Sequence, residues 1–240
     1  MCVKEPSLEE IRASEKEYHR QYYRQHDLFE KGTWMKKPAS RIIDALGRIR
    51  KGKNVRLLDL GSGIGRNSIP AARQFQEQGC EVTCVDFLDE AIAQLTEYAK
   101  EYGVEQEIKP VKQAIEEYAP EEAYFDGIIA VSSIEHVPDE KTFWNLIDKL
   151  QKGTAEGGVH AFLMNTGIHE TDAETNEELP AKMEVNFDTE DIIQKLSGRY
   201  EGWAVHKLES EAQSFTTYRE DRKVLINSNM LLLEAVKERA

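Results

Sequence analysis

The sequence predicts an α/β protein, doubly wound about a mainly parallel sheet that ends in an antiparallel strand pair, with a helical arm in front. Three observations predict it. From residue 55 to residue 164, short apolar runs alternate with amphipathic segments, the pattern of parallel strands joined by right-handed helical crossovers. The run Val55-Arg56-Leu57-Leu58-Asp59-Leu60 leads directly into Gly61-Ser62-Gly63-Ile64-Gly65, which reads as a buried strand, a glycine turn and the opening of a helix. After residue 187 two apolar runs follow with no helix between them, and such strands pair antiparallel.

The elements follow in order. Ser7 with Glu9 and Glu10 marks a helix start, and a tyrosine-rich helix is expected through Tyr18, Tyr22 and Tyr23 to about Phe29. Gly32 and Pro38 break it, and Pro38 opens a second helix over 39–49 with Ile42, Ile43, Leu46 and Ile49 on one face. Strand one at 55–60 precedes a helix at 67–78, and strand two at 81–86 precedes a helix at 89–102. Strand three falls at 107–112. Strand four at 125–132 carries the fully apolar run Ile128-Ile129-Ala130-Val131. A helix at 141–150 and the Gly157-Gly158 turn lead to strand five at 159–164. Residues 165–187 are polar and irregular, as expected of a functional loop. Asp188 and Thr189 cap a short helix to Leu196. The last two strands are expected at 203–207 and 224–233, with a polar connection over 209–222.

At 240 residues the chain accommodates one large core, divided by this reading into an arm at 1–52 and a main domain at 53–240. No apolar run approaches the roughly 20 residues that span a bilayer, and residues 1–6 lack the apolar core of a signal peptide. Cys2, Cys80 and Cys84 lack zinc spacing, and Cys80 and Cys84, which flank and occupy an expected strand, read as buried thiols in a reducing compartment. A cytoplasmic protein without metal or membrane association is expected. The net charge of −13 argues against a general nucleic-acid binder and fits a small-molecule or protein substrate. It leaves the oligomeric state open.

The glycine turn carries the chemistry. Glycines permit positive φ and close approach of a ligand to the backbone, and N–H groups at a helix start can meet a polar ligand group. That suggests a nucleotide-like cofactor. A dinucleotide fingerprint would read G-x-G-x-x-G/A. Here the spacing is G-x-G-x-G, and Arg66 stands where the third small residue would be. Asp59, on the strand before the turn, suits a cationic or amino-bearing ligand better than a pyrophosphate. Asp86 ends the next strand within reach of ribose hydroxyls.

This pattern resembles the class I S-adenosylmethionine-dependent methyltransferases, and the expected order of strands is similar to their Rossmann-like sheet. Strand four with its turn, Phe125 through Ser133-Ile134-Glu135-His136-Val137-Pro138, looks like the fourth motif of the small-molecule members, and Gly157-Gly158 like a later one. Gly65-Arg66-Asn67-Ser68 and Arg199-Tyr200-Glu201-Gly202-Trp203 are similar to the tellurite-resistance methyltransferases. The stretch Ser214-Phe215-Thr216-Thr217-Tyr218-Arg219 departs from them, because the His-Arg pair they carry there is absent.

The resemblance implies S-adenosyl-L-methionine as cofactor and a small-molecule methyl acceptor. It implies a cofactor floor of Gly61, Ser62, Gly63, Gly65 and Asn67. Asp59 receives the cofactor ammonium directly or through water, or instead bonds the loop's own N–H groups. Asp86 holds the ribose, Phe87 packs on the adenine or in the core, and Gln113 with Ala114 lies near the adenine amino group. Val131 and Ser132 close the site. Ser133, Tyr22, Tyr23, His26, Trp34 and Arg219 are candidates for the acceptor side. His136 is the candidate general base, since it titrates near neutrality, with a shielding role as the alternative. A non-catalytic cofactor-binding protein and a nicotinamide-dependent oxidoreductase are the competing readings.

Overall fold

A computed structural model describes residues 7–50, 52–219 and 222–238; residues 1–6, with Cys2, lie outside them. Helix α1, Leu8–Gln25, begins at a capping box in which Ser7 and Glu10 each bond the other's backbone N–H. It ends four residues before the expected Phe29. There Leu28 N–H donates to the Tyr98 hydroxyl instead of a helical carbonyl, and Phe29 takes φ 64°. Helix α2, Ser40–Leu46, is also shorter than expected: Gly47, Arg48 and Ile49 bond three residues back in a tightened last turn.

The main domain alternates β1 (Val55–Leu60), α3 (Ser68–Phe75), β2 (Cys80–Asp86), α4 (Asp89–Glu101), β3 (Ile108–Lys112), β4 (Phe125–Val131), α5 (Glu140–Gly153) and β5 (Thr154–Asp172). A two-residue strand β6 (Glu178–Leu179), helix α6 (Thr189–Arg199) and the hairpin of β7 (Trp203–Arg219) and β8 (Arg222–Lys237) complete it. The sheet order is β3-β2-β1-β4-β5-β8-β7, with β6 on β5. Pairings through β5 are parallel except at β6, and β8 runs antiparallel to both β5 and β7. Because β1 lies between β2 and β4, the winding reverses beside it and opens a crevice at the carboxyl ends of these strands.

Two cores cover the sheet. On one face Leu57, Val82 and Cys84 pack with α2, α3 and α4, and Tyr23, Leu28 and Met35 of the arm join that core. On the other, Leu58, Leu60 and Ile128 pack with α5 and α6.

Two expectations are corrected. Residues 165–172, read as irregular, continue β5, because they pair with 224–230 of β8. A third, small core of Ile168, Val224 and Ile226 forms beneath Leu179, Ala181 and Met183. Residues 209–219, read as a connection, belong to β7. That strand lies at the sheet edge with most side chains exposed, so it needs no apolar alternation; its backbone pairing with β8 holds it.

Candidate active site

The glycine turn is pinned before any ligand arrives. Gly61 and Ser62 N–H both donate to the Val85 carbonyl, at 2.8 and 3.1 Å. Gly61 has φ 70°, and a Cβ there would overlap the Ser133 Cβ. Ser133 comes that close because its hydroxyl donates to Leu60 O at 2.7 Å. Gly63, φ 53°, faces the arm: a Cβ on it would lie 2.6 Å from the Tyr23 hydroxyl.

Asp86 closes the loop from β2. Its carboxylate accepts from Gly63 N–H and Leu88 N–H, both at 2.9 Å. Burial raises its pKa, and those backbone bonds oppose the rise. Phe87 beside it is 41% exposed, with the Lys16 ammonium 5.0 Å from its ring centre. Asp59 lies under the loop, buried, and accepts from the Ser68 hydroxyl; burial lifts its pKa to about 7. The Ser62 hydroxyl is buried and has no partner among the described residues. Gln113, whose N–H donates to Asp86 O, and Ala114 are half-buried after β3. Val131 is half-buried, and Ser132, φ 49°, accepts from the Asn165 amide at 3.3 Å.

Helix α1 crosses near this crevice. Its residues Glu15, His19 and Tyr23, spaced one turn apart, share a face with Tyr22. Tyr22 stacks on Trp34 at 5.3 Å, and the Arg66 guanidinium lies 5.3 Å from the Trp34 ring centre. Arg66 also donates to Lys37 O at 2.8 Å, so the residue that broke the dinucleotide spacing ties the arm to the loop. Glu15 feels the charges of His136, Arg219, Glu184 and Glu135. These groups come from the arm, the turn after β4, the segment before α6 and β7, and they form one polar chamber.

Several candidates have partners within the protein. His136 Nδ1 bonds Glu184 Oε2 at 2.8 Å. Burial alone would lower its pKa, but the Glu184 bond and the charges of Glu135 and Glu15 outweigh it and raise it to about 9. That value favours the imidazolium, a charged donor, at neutral pH. Asn67 accepts from Ala39 N–H at 3.0 Å and braces α2. His26 bonds Glu30 at 3.1 Å, a local contact past the end of α1. Arg219 ends β7 and donates to Glu170 at 2.8 Å, but its Nε has no partner among the described residues.

Sequence reasoning missed Glu15, His19, Glu135 and Glu184. The i, i+4 spacing of Glu15, His19 and Tyr23 was a usable signal for the first two; Glu184 had none. Among the described residues no group of three or more His, Cys, Asp or Glu could hold a metal, and no helix is long and apolar enough to cross a membrane.

Residues 57–158 match a family model described as a methyltransferase domain. A ubiquinone biosynthesis O-methyltransferase of Rickettsia canadensis is 36% identical over 96 residues, 40% of this chain and 38% of that one. Its counterpart from Xylella fastidiosa is 32% identical over 131 residues, 49% of this chain and 51% of that one. The chain thus spans between 38% and 51% of the length of these curated relatives. TehB from Haemophilus influenzae superposes with a TM-score of 0.63 at 19% identity, covering 93% of this chain and 67% of that one.

Proposed function

From its place among the class I S-adenosylmethionine-dependent methyltransferases, we propose that the chain transfers the methyl group of S-adenosylmethionine to a small-molecule acceptor. The residues fit this cofactor. Asp86 presents a buried carboxylate beside an exposed aromatic ring, and the Ser62 hydroxyl next to Gly63 lacks a partner among the described residues. The observation that carries the reading is this junction of Asp86 with the glycine loop at the reversal of the sheet.

Bound S-adenosylmethionine supplies a methyl carbon made electrophilic by its sulfonium. The protein's part is then to position the acceptor in line and to exclude water. Asp86 would hold the ribose hydroxyls with its remaining lone pairs, and Phe87 would cover the adenine. Asp59 would lie within reach of the ammonium through water or directly. The stacked Tyr22 and Trp34, with Tyr23 over Gly63, would wall the acceptor off from solvent. The imidazolium of His136 would serve as a fixed donor. A cytoplasmic setting, an arm at 1–52 serving a main domain at 53–240, and recognition without nucleic acid complete the reading.

Calorimetric titration with S-adenosylmethionine and with NAD, followed by a turnover screen over acceptors, tests it. Asp59 has its pKa raised to about 7 by burial, and the cofactor's cation lowers it on binding. Binding near pH 6.5, just below that value, therefore releases protons, and Asp59→Asn abolishes the release. Binding of NAD without S-adenosylmethionine would overturn the proposal.

A further inference from the structure

Resting on that reading, we propose that Glu15 and His19 of α1 form the proton-accepting pair for a hydroxyl group carried on a planar acceptor ring. Three features of the chamber lead there.

The first is an unused nitrogen. His19 Nδ1 is buried and has no partner among the described residues, while Nε2 faces Glu15 Oε2 at 3.6 Å. An imidazole with one nitrogen beside a carboxylate and the other free is arranged to take a proton at the free one and have the resulting charge balanced. The second is the division of roles between two histidines. Burial, and then the neighbouring His136 charge, lower His19 to about 4, whereas His136 is raised to about 9. Groups pushed apart in this way separate acid from base: His19 is neutral where His136 is charged.

The third is shape. His19 lies edge-on to Trp34 at 6.4 Å and tilted against Tyr23 at 5.5 Å, and Trp34 is stacked on Tyr22. Trp34 keeps 39% and Tyr18 44% of their surface uncovered, an aromatic wall left free for a flat ligand. A strongly anionic acceptor group would compete with carboxylates for the two cations that act on Glu15, since His136 bonds Glu184 and one guanidinium nitrogen of Arg219 bonds Glu170.

The charges beside His19 are Glu15 on α1 and His136 after β4, and Glu15 in turn feels Arg219 on β7, Glu184 and Glu135. In the reaction the acceptor oxygen forms a bond to the methyl carbon. The carbon–sulfur bond breaks and its electron pair stays on sulfur, leaving neutral S-adenosylhomocysteine. The hydroxyl proton moves to His19 Nδ1. One cation disappears at sulfur and one appears on the imidazole beside Glu15, so the chamber's net charge is unchanged. That conservation offsets the burial that otherwise keeps His19 neutral.

Catechol and 4-nitrocatechol serve as probes at about pH 7.5, the second being ionised there and the first not. With catechol, His19→Gln should lower kcat by about 10²–10⁴-fold, the usual worth of a general base, and Glu15→Gln by a smaller factor. With 4-nitrocatechol the loss in His19→Gln should shrink to about tenfold or less, since no proton remains to be taken. The acid limb of the kcat/KM profile should vanish in His19→Gln, and S-adenosylhomocysteine affinity should hold. Equal losses with both probes, or a proportional loss of S-adenosylhomocysteine affinity, would make His19 structural and overturn the proposal. A wild-type protein that binds S-adenosylhomocysteine but neither binds nor methylates either probe overturns the ring-hydroxyl acceptor. One that fails to bind S-adenosylmethionine overturns the cofactor reading itself.

Discussion

In the glycine turn most polar groups already have protein partners. Gly61 and Ser62 donate to Val85, Gly63 and Leu88 to Asp86, and Ser133 to Leu60. Across the crevice, in the chamber beside α1, His19 Nδ1, Glu135 Oε2 and Arg219 Nε are buried without partners among the described residues. A buried polar atom left unpaired costs about 1–3 kcal/mol, so the two regions are built on different terms. The turn is a rigid backbone cradle whose shape precedes its ligand. The chamber keeps side-chain hydrogen-bonding capacity in reserve, which a bound acceptor can complete. The Ser62 hydroxyl is the exception on the cradle side, at the place where a cofactor would meet it.

The contrast breaks most readily at Gly61. Gly61→Val forces a side chain into the left-handed region, at about 1–2 kcal/mol, and into the Ser133 turn, at about 1–3 kcal/mol of overpacking. Urea denaturation should show a loss of that order. An unchanged midpoint would mean that the turn after β4 yields and the cradle is soft. Asp86→Ala is the next largest effect. S-adenosylmethionine affinity should fall by about 1.5–3 kcal/mol for each charged hydrogen bond lost, read by calorimetry on a variant whose circular dichroism shows it folded. Wild-type affinity there would remove Asp86 from the site.

His136→Gln probes the chamber and has the smallest effect. The folded pKa of about 9 lies above the ordinary value of 6.5, so its pairing stabilises the protein fully below about pH 6.5. That contribution is lost as pH rises through about 9. The wild type should therefore lose more stability between those limits than His136→Gln, by about 1–3 kcal/mol, the worth of a charged hydrogen bond. Parallel pH profiles would mean that Glu184 does not hold the imidazolium.

The arm shows why truncation is a poor probe of the acceptor side. Tyr23, Leu28 and Met35 are buried in the core shared with α2, α3 and α4, so deleting residues up to Lys31 would remove core packing along with chamber walls. Point substitutions on α1 separate the two.

What the sequence by itself determined is the part governed by neighbours in the chain. Val55–Leu60, the glycines at 61, 63 and 65, Asp86 at the end of β2 and the alternation through β4 are set by period, by φ and by short connections. They appear in the structure within a few residues of where they were expected. Only the tertiary structure decided the rest. Residues 165–172 and 209–219 are polar and lack strand periodicity, and they become strands because β8 supplies their backbone partners. His136 carries the residue type of a base, and Glu184, 48 positions away, bonds its ring and raises its pKa. His19 stays neutral because the fold buries it near His136. Charge state in a shared chamber depends on which distant residues meet there, and local sequence does not encode that meeting.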